Sequence, residues 1–548
     1  ITYNGEIFNF RELRDQLVAS GHTFKTTSDT EVMLAAYRQW GIECVQRFNG
    51  MFAFALWDGA QKKLFLVRDR CGVKPLYCAQ FRDKLVFAST LRAFAAFPDL
   101  PLEVDTTALD LYFQMLYVPA PLSIYRNIRK VSPGTWLEIS AAGEVREAVY
   151  WRPAAPRSVT TEAATLDRLE DLLRSSIRYR LISDVPVGAF LSGGIDSSLI
   201  VALMRSITPV VKTFTIGFAE RDHDESRYAR EISRHLGTQH TELVVTPADL
   251  LRLADAIPKH YDEPFADASA IPTLALAQMT RQHVTVALSG DGGDELFGGY
   301  PYYGYLRRLE PLRRIAAPVR ALLGGIAAIM PGHRVAMGLR ALAQPDTSSL
   351  FAYMRGPLKT GEYRDLIPRC QASAGGFLAQ RLAEDRENEL TSRYMNLDLR
   401  TYLPDDILVK VDRASMAYGL EARTPFLDYR LVEYVRSLPL ALRAGGHGGK
   451  QLLRKLLARH LPVQLFERPK HGFTVPIRRW LRTELRATVE QQLADGYLVK
   501  HGFMHAPTVQ RFLREHASNR RNHESIMWAM LMFEKWHSQS HGTAPSRH

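Results

Sequence analysis

The segment Ser192-Gly193-Gly194-Ile195-Asp196-Ser197-Ser198 concentrates more usable chemistry than any other stretch of the chain. Gly193 and Gly194 let backbone N–H groups approach an anion closely, and Ser192 and Ser197 offer hydroxyl donors. A helix beginning near Ser197 would add its positive end. This is the make-up of a phosphate cradle. It is not a Walker A loop, because Gly-x-x-x-x-Gly-Lys-Ser/Thr is absent. An aspartate alone would repel phosphate, so Asp196 implies Mg²⁺ between its carboxylate and the phosphates. The plainer alternative is a strand-to-helix turn capped by Asp196 and Ser197. A second segment has the same grammar: Ser289-Gly290-Asp291-Gly292-Gly293-Asp294-Glu295, then Leu296-Phe297-Gly298-Gly299-Tyr300. Flexible backbone among three carboxylates suits metal binding or the positioning of an electrophile. Its alternative is an acidic helix start favoured by the helix dipole.

Both loops need a sheet edge to hold them. Residues 185–191 form an apolar run before the first loop, and residues 284–288 precede the second. Between them the pattern predicts helices over 166–180, 198–205, 225–236 and 270–282, and strands over 212–218 and 243–245. The helix over 225–236 places Tyr228, Ile232 and Leu236 on one face and closes at Gly237. Such β-α-β alternation implies a parallel sheet covered on both faces, with ligands bound at its carboxyl edge. The first 150 residues are instead β-rich. Strands are expected over 52–57 and 63–67 around the turn Asp58-Gly59, over 85–88, and in a hairpin from 136–139 through Ala142-Gly143, with helices over 11–20 and 29–40. The patch Arg152-Pro153-Ala154-Ala155-Pro156 reads as a linker. Beyond residue 300 the chain is mostly helical to about residue 540, before a polar tail.

Composition bounds the class. The chain has 548 residues, 46% hydrophobic and 23% charged, the balance of a globular protein with large cores. No apolar run reaches the roughly 18 residues of a membrane span; residues 321–330 come nearest, between Arg320 and His333. Four cysteines (Cys44, Cys71, Cys78, Cys370) make neither a disulfide framework nor a Cys-x-x-Cys metal pair. A reducing, cytoplasmic setting is the expectation. The net charge of +12 raises nucleic acid as a partner. The basic residues are dispersed, with local density only at Arg307-Arg308 and Arg313-Arg314, so a solvated basic surface is favoured.

Residues 191–198 resemble the pyrophosphate loop of the ATP pyrophosphatases. Together with residues 289–300, Glu421-Ala-Arg-Thr-Pro-Phe-Leu-Asp428 and Arg468-Pro-Lys470-His-Gly-Phe473, the chain resembles the class B, glutamine-dependent asparagine synthetase family. Asn4-Gly5-Glu6-Ile7-Phe8-Asn9 is similar to that family's glutaminase signature. Ser28-Asp29-Thr30-Glu31 and the run from Arg68 to Tyr77 follow in the family's order.

The resemblance implies an α/β fold in two parts. An N-terminal-nucleophile hydrolase domain of αββα type, missing its start, would occupy residues 1–155. A synthetase domain with a Rossmann-like parallel sheet and a helical C-terminal part would occupy residues 160–540. It implies a ligase that uses ATP and Mg²⁺ to convert the aspartate side chain to β-aspartyl-AMP, which ammonia from glutamine then attacks after crossing an internal tunnel. Ser192, Gly193, Gly194, Asp196 and Ser197 would hold pyrophosphate, and Asp196 and Asp294 the metal. Phe190, Ile216, Ser289 and Gly290 would line the adenosine site. Asp291, Asp294 and Lys470 would act in catalysis, Lys470 by meeting charge on the phosphates. Without the resemblance Lys470 is an ordinary surface lysine. Asp291 stands where some family members carry Glu, one methylene longer. Glu421 and Arg423 either shape the amino-acid site or form a buried ion pair in helical packing. Asn4 and Gly5 would form an oxyanion hole, and Glu6 and Asp29 would grip glutamine's amino end. For Asn4-Gly5 the alternative is a turn, and for Asp29 a helix N-cap.

The family's N-terminal Cys and Arg-Gly-Pro-Asp segment do not precede Ile1. A nucleophile of that kind needs its own α-amine as base, which an internal cysteine lacks. The four cysteines therefore read as core or loop residues. The expectation is a chain lacking the first part of its glutaminase domain, able to use free ammonia but not to hydrolyse glutamine; glutamate released from glutamine would refute that. The implied partners are aspartate or a related acid and glutamine or ammonia, with no nucleic acid and no membrane; a homodimer is compatible. Competing readings keep the fold and change the acid, as in amidotransferases and β-lactam-forming enzymes, or drop catalysis for nucleotide binding alone.

Overall fold

A computed structural model describes residues 1–153, 161–218, 226–330, 334–358, 360–446, 448–467 and 475–541. Its first layer grows from period-2 patterning. In the sequence of β2 (Gly50–Asp58), Phe52, Phe54 and Leu56 pack beneath the helices Phe10–Ala19 and Asp29–Trp40, while Ala53 and Ala55 face the opposite way. Phe65 and Val67 of β3 (Lys63–Arg68) and Trp136 of β7 (Thr135–Ser140) join the helical side. With β1 (Thr2–Ile7) and β8 (Val145–Val149) these strands form an antiparallel sheet ordered β1-β2-β3-β7-β8. Its small-residue face meets a second antiparallel sheet, β5 (Lys84–Ala88), β4 (Tyr77–Phe81) and β6 (Arg129–Lys130), across Leu66, Leu76, Cys78, Val131 and Leu137. The far side of that sheet, through Tyr77, Ala79 and Val86, merges with the main core of the protein.

The rest is α/β. Strands β9 (Val187–Phe190), β10 (Lys212–Phe218), β11 (Gln239–Val245), β12 (Val286–Leu288) and β13 (Glu421–Arg423) form a wholly parallel sheet ordered β11-β10-β9-β12-β13. Ala189 and Leu288 face the helices Glu162–Arg180, Ile195–Ile207 and Gln451–Leu457; Phe214, Ile216 and Ala287 face Pro247–His260 and Ala270–Arg281. The chain runs outward from β9 through β10 to β11, then returns to place β12 on β9's other side. The gap between β9 and β12 is thus a topological switch point, where such sheets bind ligands.

Packing joins the two parts closely. The helix Glu524–His541 is buried from Ile526 to Phe533, and Tyr112 of the helix Thr106–Met115 donates to its Ala529 carbonyl at 2.8 Å. Lys74 pairs with Asp412 at 2.9 Å, and the Asn49 amide donates to Asp428 at 2.9 Å.

Three expectations shift. The apolar run 185–191 pairs only over Val187–Phe190, because Val185 is exposed and Pro186 has no N–H to donate. The first-loop helix begins at Ile195, with Gly194 as N-cap, so Asp196 and Ser197 lie inside its first turn and do not cap it. Asn4 and Gly5 lie within β1 and form no turn. No helix among the described residues is long and apolar enough to cross a membrane.

Candidate active site

The parallel register sets Val187 beside Val286 and Ala189 beside Leu288, so the loops leaving β9 and β12 emerge side by side. In the first, Gly193 takes φ +73°, a conformation costly for any residue with a Cβ. The Ser192 and Ser197 hydroxyls lie 3.0 Å apart, and the Ser192 N–H donates to Ser197 Oγ at 3.2 Å. In the second, the Ser289 N–H donates to the Arg423 carbonyl of β13 at 2.9 Å, and the Ser289 hydroxyl donates to Asp291 at 2.7 Å. The two loops touch. A Cβ on Gly290 would sit 3.0 Å from Asp196 Cβ, and one on Gly293 would sit 2.6 Å from Asp196 Oδ1.

What joins them is a residue the sequence did not single out. Lys450 precedes the helix Gln451–Leu457 with φ +56°, its N–H bonded to the Phe297 carbonyl at 2.8 Å. Its ammonium contacts Asp196 and stands 2.7 Å from Asp294. Burial alone would pull this lysine down. The two carboxylates outweigh burial and hold it well above the ordinary lysine value. Gly299 makes room for the arrangement, since a Cβ there would strike both Asp294 and the Lys450 stem. Burial, then the neighbouring Asp196 and Asp294, push the Asp291 carboxyl up. Burial and Asp294 likewise raise Glu295 to about 7, while the Tyr300 hydroxyl donates to it at 2.6 Å.

Phe190 ends β9 half-buried, and Ile216 is buried toward the same edge of β10. Lys470 and its motif, residues 468–473, lie outside the described residues. Lys450 is the lysine that the described structure brings to the two aspartates. Two carboxylates flanking one cation, beside N–H-rich loops, suit Mg²⁺, which is commonly held by one or two carboxylates together with substrate phosphates. No group of three or more His, Cys, Asp or Glu side chains able to hold a metal gathers among the described residues.

The glutamine-site candidates gather on β1 and the start of the helix Asp29–Trp40. Asp29 accepts from the Tyr3 hydroxyl at 2.8 Å and the Ile7 N–H at 3.0 Å. It is not the cap; Ser28 is, accepting from the Thr30 N–H. Asn4 donates to Ser89 at 3.2 Å, and a Cβ on Gly5 would lie 2.0 Å from the Met51 carbonyl. Burial, then Glu421, raises Glu6 to about 7. Glu421 and Arg423 belong to an edge strand, not to helical packing. Arg423 donates to Glu421 at 2.6 Å and to the Arg180 and Ile182 carbonyls, and lies 3.9 Å from Glu6. Burial raises the cysteine thiols, Cys44 to about 12 and Cys370 to about 11, as core or loop residues require.

Two family descriptions match the chain: asparagine synthase over residues 168–538, and a glutamine amidotransferase domain over residues 1–151. The glutamine-hydrolysing asparagine synthetase 1 of Bacillus subtilis (strain 168) is 34% identical over 547 residues, covering 98% of this chain and 85% of that protein. Asparagine synthetase 3 of the same organism is 30% identical, over 88% of this chain and 78% of that protein. More distant is the amidase chyE of Penicillium rubens, 28% identical over 91% of this chain and 80% of that protein.

Proposed function

The chain belongs to the asparagine synthase family, and we propose that it activates the aspartate side-chain carboxylate with ATP as β-aspartyl-AMP and passes that acyl group to ammonia. It is a carbon–nitrogen ligase of the glutamine-hydrolysing asparagine synthetase type, and ATP is the family's nucleotide. The observation that carries the finer reading is the pair of aspartates from two adjacent loops sharing one lysine at the switch point.

A carboxylate is a poor electrophile, and adenylation gives its carbon a good leaving group. In the first step a carboxylate oxygen attacks the α-phosphorus, the bond from that phosphorus to the α,β-bridging oxygen breaks, and pyrophosphate leaves. Backbone N–H groups at Gly193 and Gly194 and the hydroxyls of Ser192 and Ser197 hold the departing phosphates. Lys450 leaves its aspartates to meet the charge that builds there. Mg²⁺ held by Asp196 and Asp294 would neutralise the same oxygens. Phe190, Ile216, Ser289 and Gly290 line the adenosine side. In the second step the ammonia nitrogen attacks the acyl carbon, AMP departs, and the nitrogen gives up a proton. Asp291, whose carboxyl burial raises, would take it.

Residues 1–155 serve as the amidotransferase part and residues 160–540 as the synthetase part. In the former, Asn4 and Gly5 face the glutamine amide, and Glu6 and Asp29 its amino end. A cytoplasmic setting is supported by four unpaired thiols.

The test supplies the chain with ATP labelled at the α-phosphate, MgCl₂, ammonium chloride and a panel of carboxylic acids. AMP, pyrophosphate and asparagine, with aspartate as the best acid, are expected. Release of ADP and phosphate would refute adenylation. Turnover with another acid but none with aspartate would pass the assignment to a different amide or to lactam formation. ATP binding with no turnover on any acid would leave a nucleotide-binding protein.

A further inference from the structure

The helix Ala317–Ile329 is turned inside out. It packs on the helix Arg334–Leu342 through its smallest residues: a Cβ on Gly324 would lie 2.4 Å from Ala343 Cβ, and Ala327 and Ala336 are fully buried. Arg320 turns the same way and donates to the Ile315, Leu342 and Gln344 carbonyls. Arg320, Gly324 and Ala327 thus form the packed face. Val319, Leu322 and Ile326, at i, i+3 and i+7, form the opposite one and stand in solvent, with Leu322 at its centre 66% exposed. A scattered exposed aliphatic is ordinary, but a concentration of them is not. Eight of the large exposed hydrophobic residues fall between Tyr305 and Met337, so they form a cluster.

The charge around this cluster has one sign. From residue 301 to 345 the sequence holds seven arginines and a single acid, Glu310. That acid already accepts from the Leu390 N–H at 2.9 Å. Arg320 and Arg340 are taken up by helix-end carbonyls, whereas Arg308 and Arg314 are exposed. Tyr305, Arg308 and Leu312 share one face of the helix Pro301–Leu312, which sets a cation among apolar side chains. A second copy of the chain would bring arginine against arginine, a repulsive arrangement. A nucleic acid would leave the aliphatics in water. A protein partner is ordinarily fixed by aromatic anchors and hydrogen bonds. The outward positions 315–319, 321, 322, 325 and 326 carry only Ile, Ala, Pro, Val, Leu and Gly. A non-directional apolar face bordered by cations fits an anionic lipid surface.

We propose that this face docks the protein on a membrane. The helix Ala317–Ile329 lies in the plane of an anionic bilayer, Val319, Leu322 and Ile326 enter the acyl boundary, and Arg308 and Arg314 meet lipid phosphates. The sequence reading expects no membrane partner because no segment can span a bilayer. Lying on one asks only for an apolar helix face with cations beside it. Anionic headgroups are what a cytoplasmic leaflet presents. The inference is independent of the ligase reading.

The test is cosedimentation of the full chain with vesicles of phosphatidylcholine, alone or mixed with phosphatidylglycerol, at low and high salt. Wild type should bind the mixed vesicles at least about 10-fold more tightly than the neutral ones, and salt should weaken that binding. Leu322→Glu puts a charge at the centre of the face and should lower binding more than about 10-fold. Arg308→Gln/Arg314→Gln should lower it about 30-fold, from the usual contribution of two cations near an anionic surface. Tm and pyrophosphate release should stay at wild-type values in both variants, which separates lost docking from lost folding. Wild type that ignores mixed vesicles, or Leu322→Glu that binds them undiminished, overturns the proposal. A lipid-free dimer by light scattering that Leu322→Glu makes monomeric would give the face to a second copy. Vesicles ignored while an acidic amphipathic peptide binds wild type but not Leu322→Glu would give it to a protein. Either result overturns membrane docking.

Discussion

Replacing Lys450 with methionine keeps the stem and removes the cation between Asp196 and Asp294. At about 3 Å and an effective dielectric of about 20, each pair has a gross attraction of about 5 kcal/mol, offset by the cost of burying the ammonium. Deleting one partner of a buried pair typically costs about 3–5 kcal/mol. The two aspartates keep 17% and 20% of their side-chain exposure while the lysine keeps 6%, so water can partly take over and the lower end, about 3 kcal/mol, is expected. For a chain of this size that lowers Tm by about 3 °C. The measurement is thermal unfolding with and without millimolar MgCl₂. The variant's two carboxylates then lack their resident cation, so Mg²⁺ should return much of that loss to it and little to wild type. Pyrophosphate release should fall about 10²- to 10³-fold, the usual cost of one donor aimed at developing charge. Lys450→Arg should recover the stability and only part of the activity, because the guanidinium places its charge differently. A Lys450→Met chain with wild-type Tm, no Mg²⁺ response and full activity would refute this account of the site.

Gly293→Ala puts a Cβ 2.6 Å from Asp196 Oδ1 in the first residue of a helix that alanine otherwise favours; kcat/KM for ATP should fall at least about 10-fold with little change in Tm. Glu295 is raised from 4.5 to about 7 by burial, so its protonated form favours the fold: the contribution is full below pH 4.5 and disappears as pH rises through about 7. Glu295→Gln should therefore gain on wild type across that window, by on the order of 3 kcal/mol at its upper end, in urea unfolding followed against pH; parallel profiles would sink the idea. Lys74→Met strands Asp412 between the two parts of the protein, with both side chains under 10% exposed. Denaturant titration should show a loss of about 3–5 kcal/mol, much of it recovered in a Lys74→Met/Asp412→Leu double variant.

The chemistry of the two loops is legible in the amino-acid sequence because it is local. Gly193, Asp196 and Ser197, or Gly290 and Asp294, declare themselves within a few residues of a buried strand, and backbone geometry does the rest. Strands β2, β3 and β7 of the first sheet are equally plain, since alternation such as Phe52-Ala53-Phe54-Ala55 fits only a two-faced layer. Other elements leave no such trace. β13 has three residues, too few for any periodicity, and β1 shows no alternation to mark it, Asn4-Gly5 offering a turn as the alternative to its place in a glutaminase signature. Lys450 lies 254 positions from Asp196, in a glycine-rich stretch whose sequence says nothing about which carboxylates it will meet. Spacing along the chain thus determined which residues could cradle a phosphate. Which cation balances them depended on packing between distant segments, because burial and charge pairing are properties of neighbours in space.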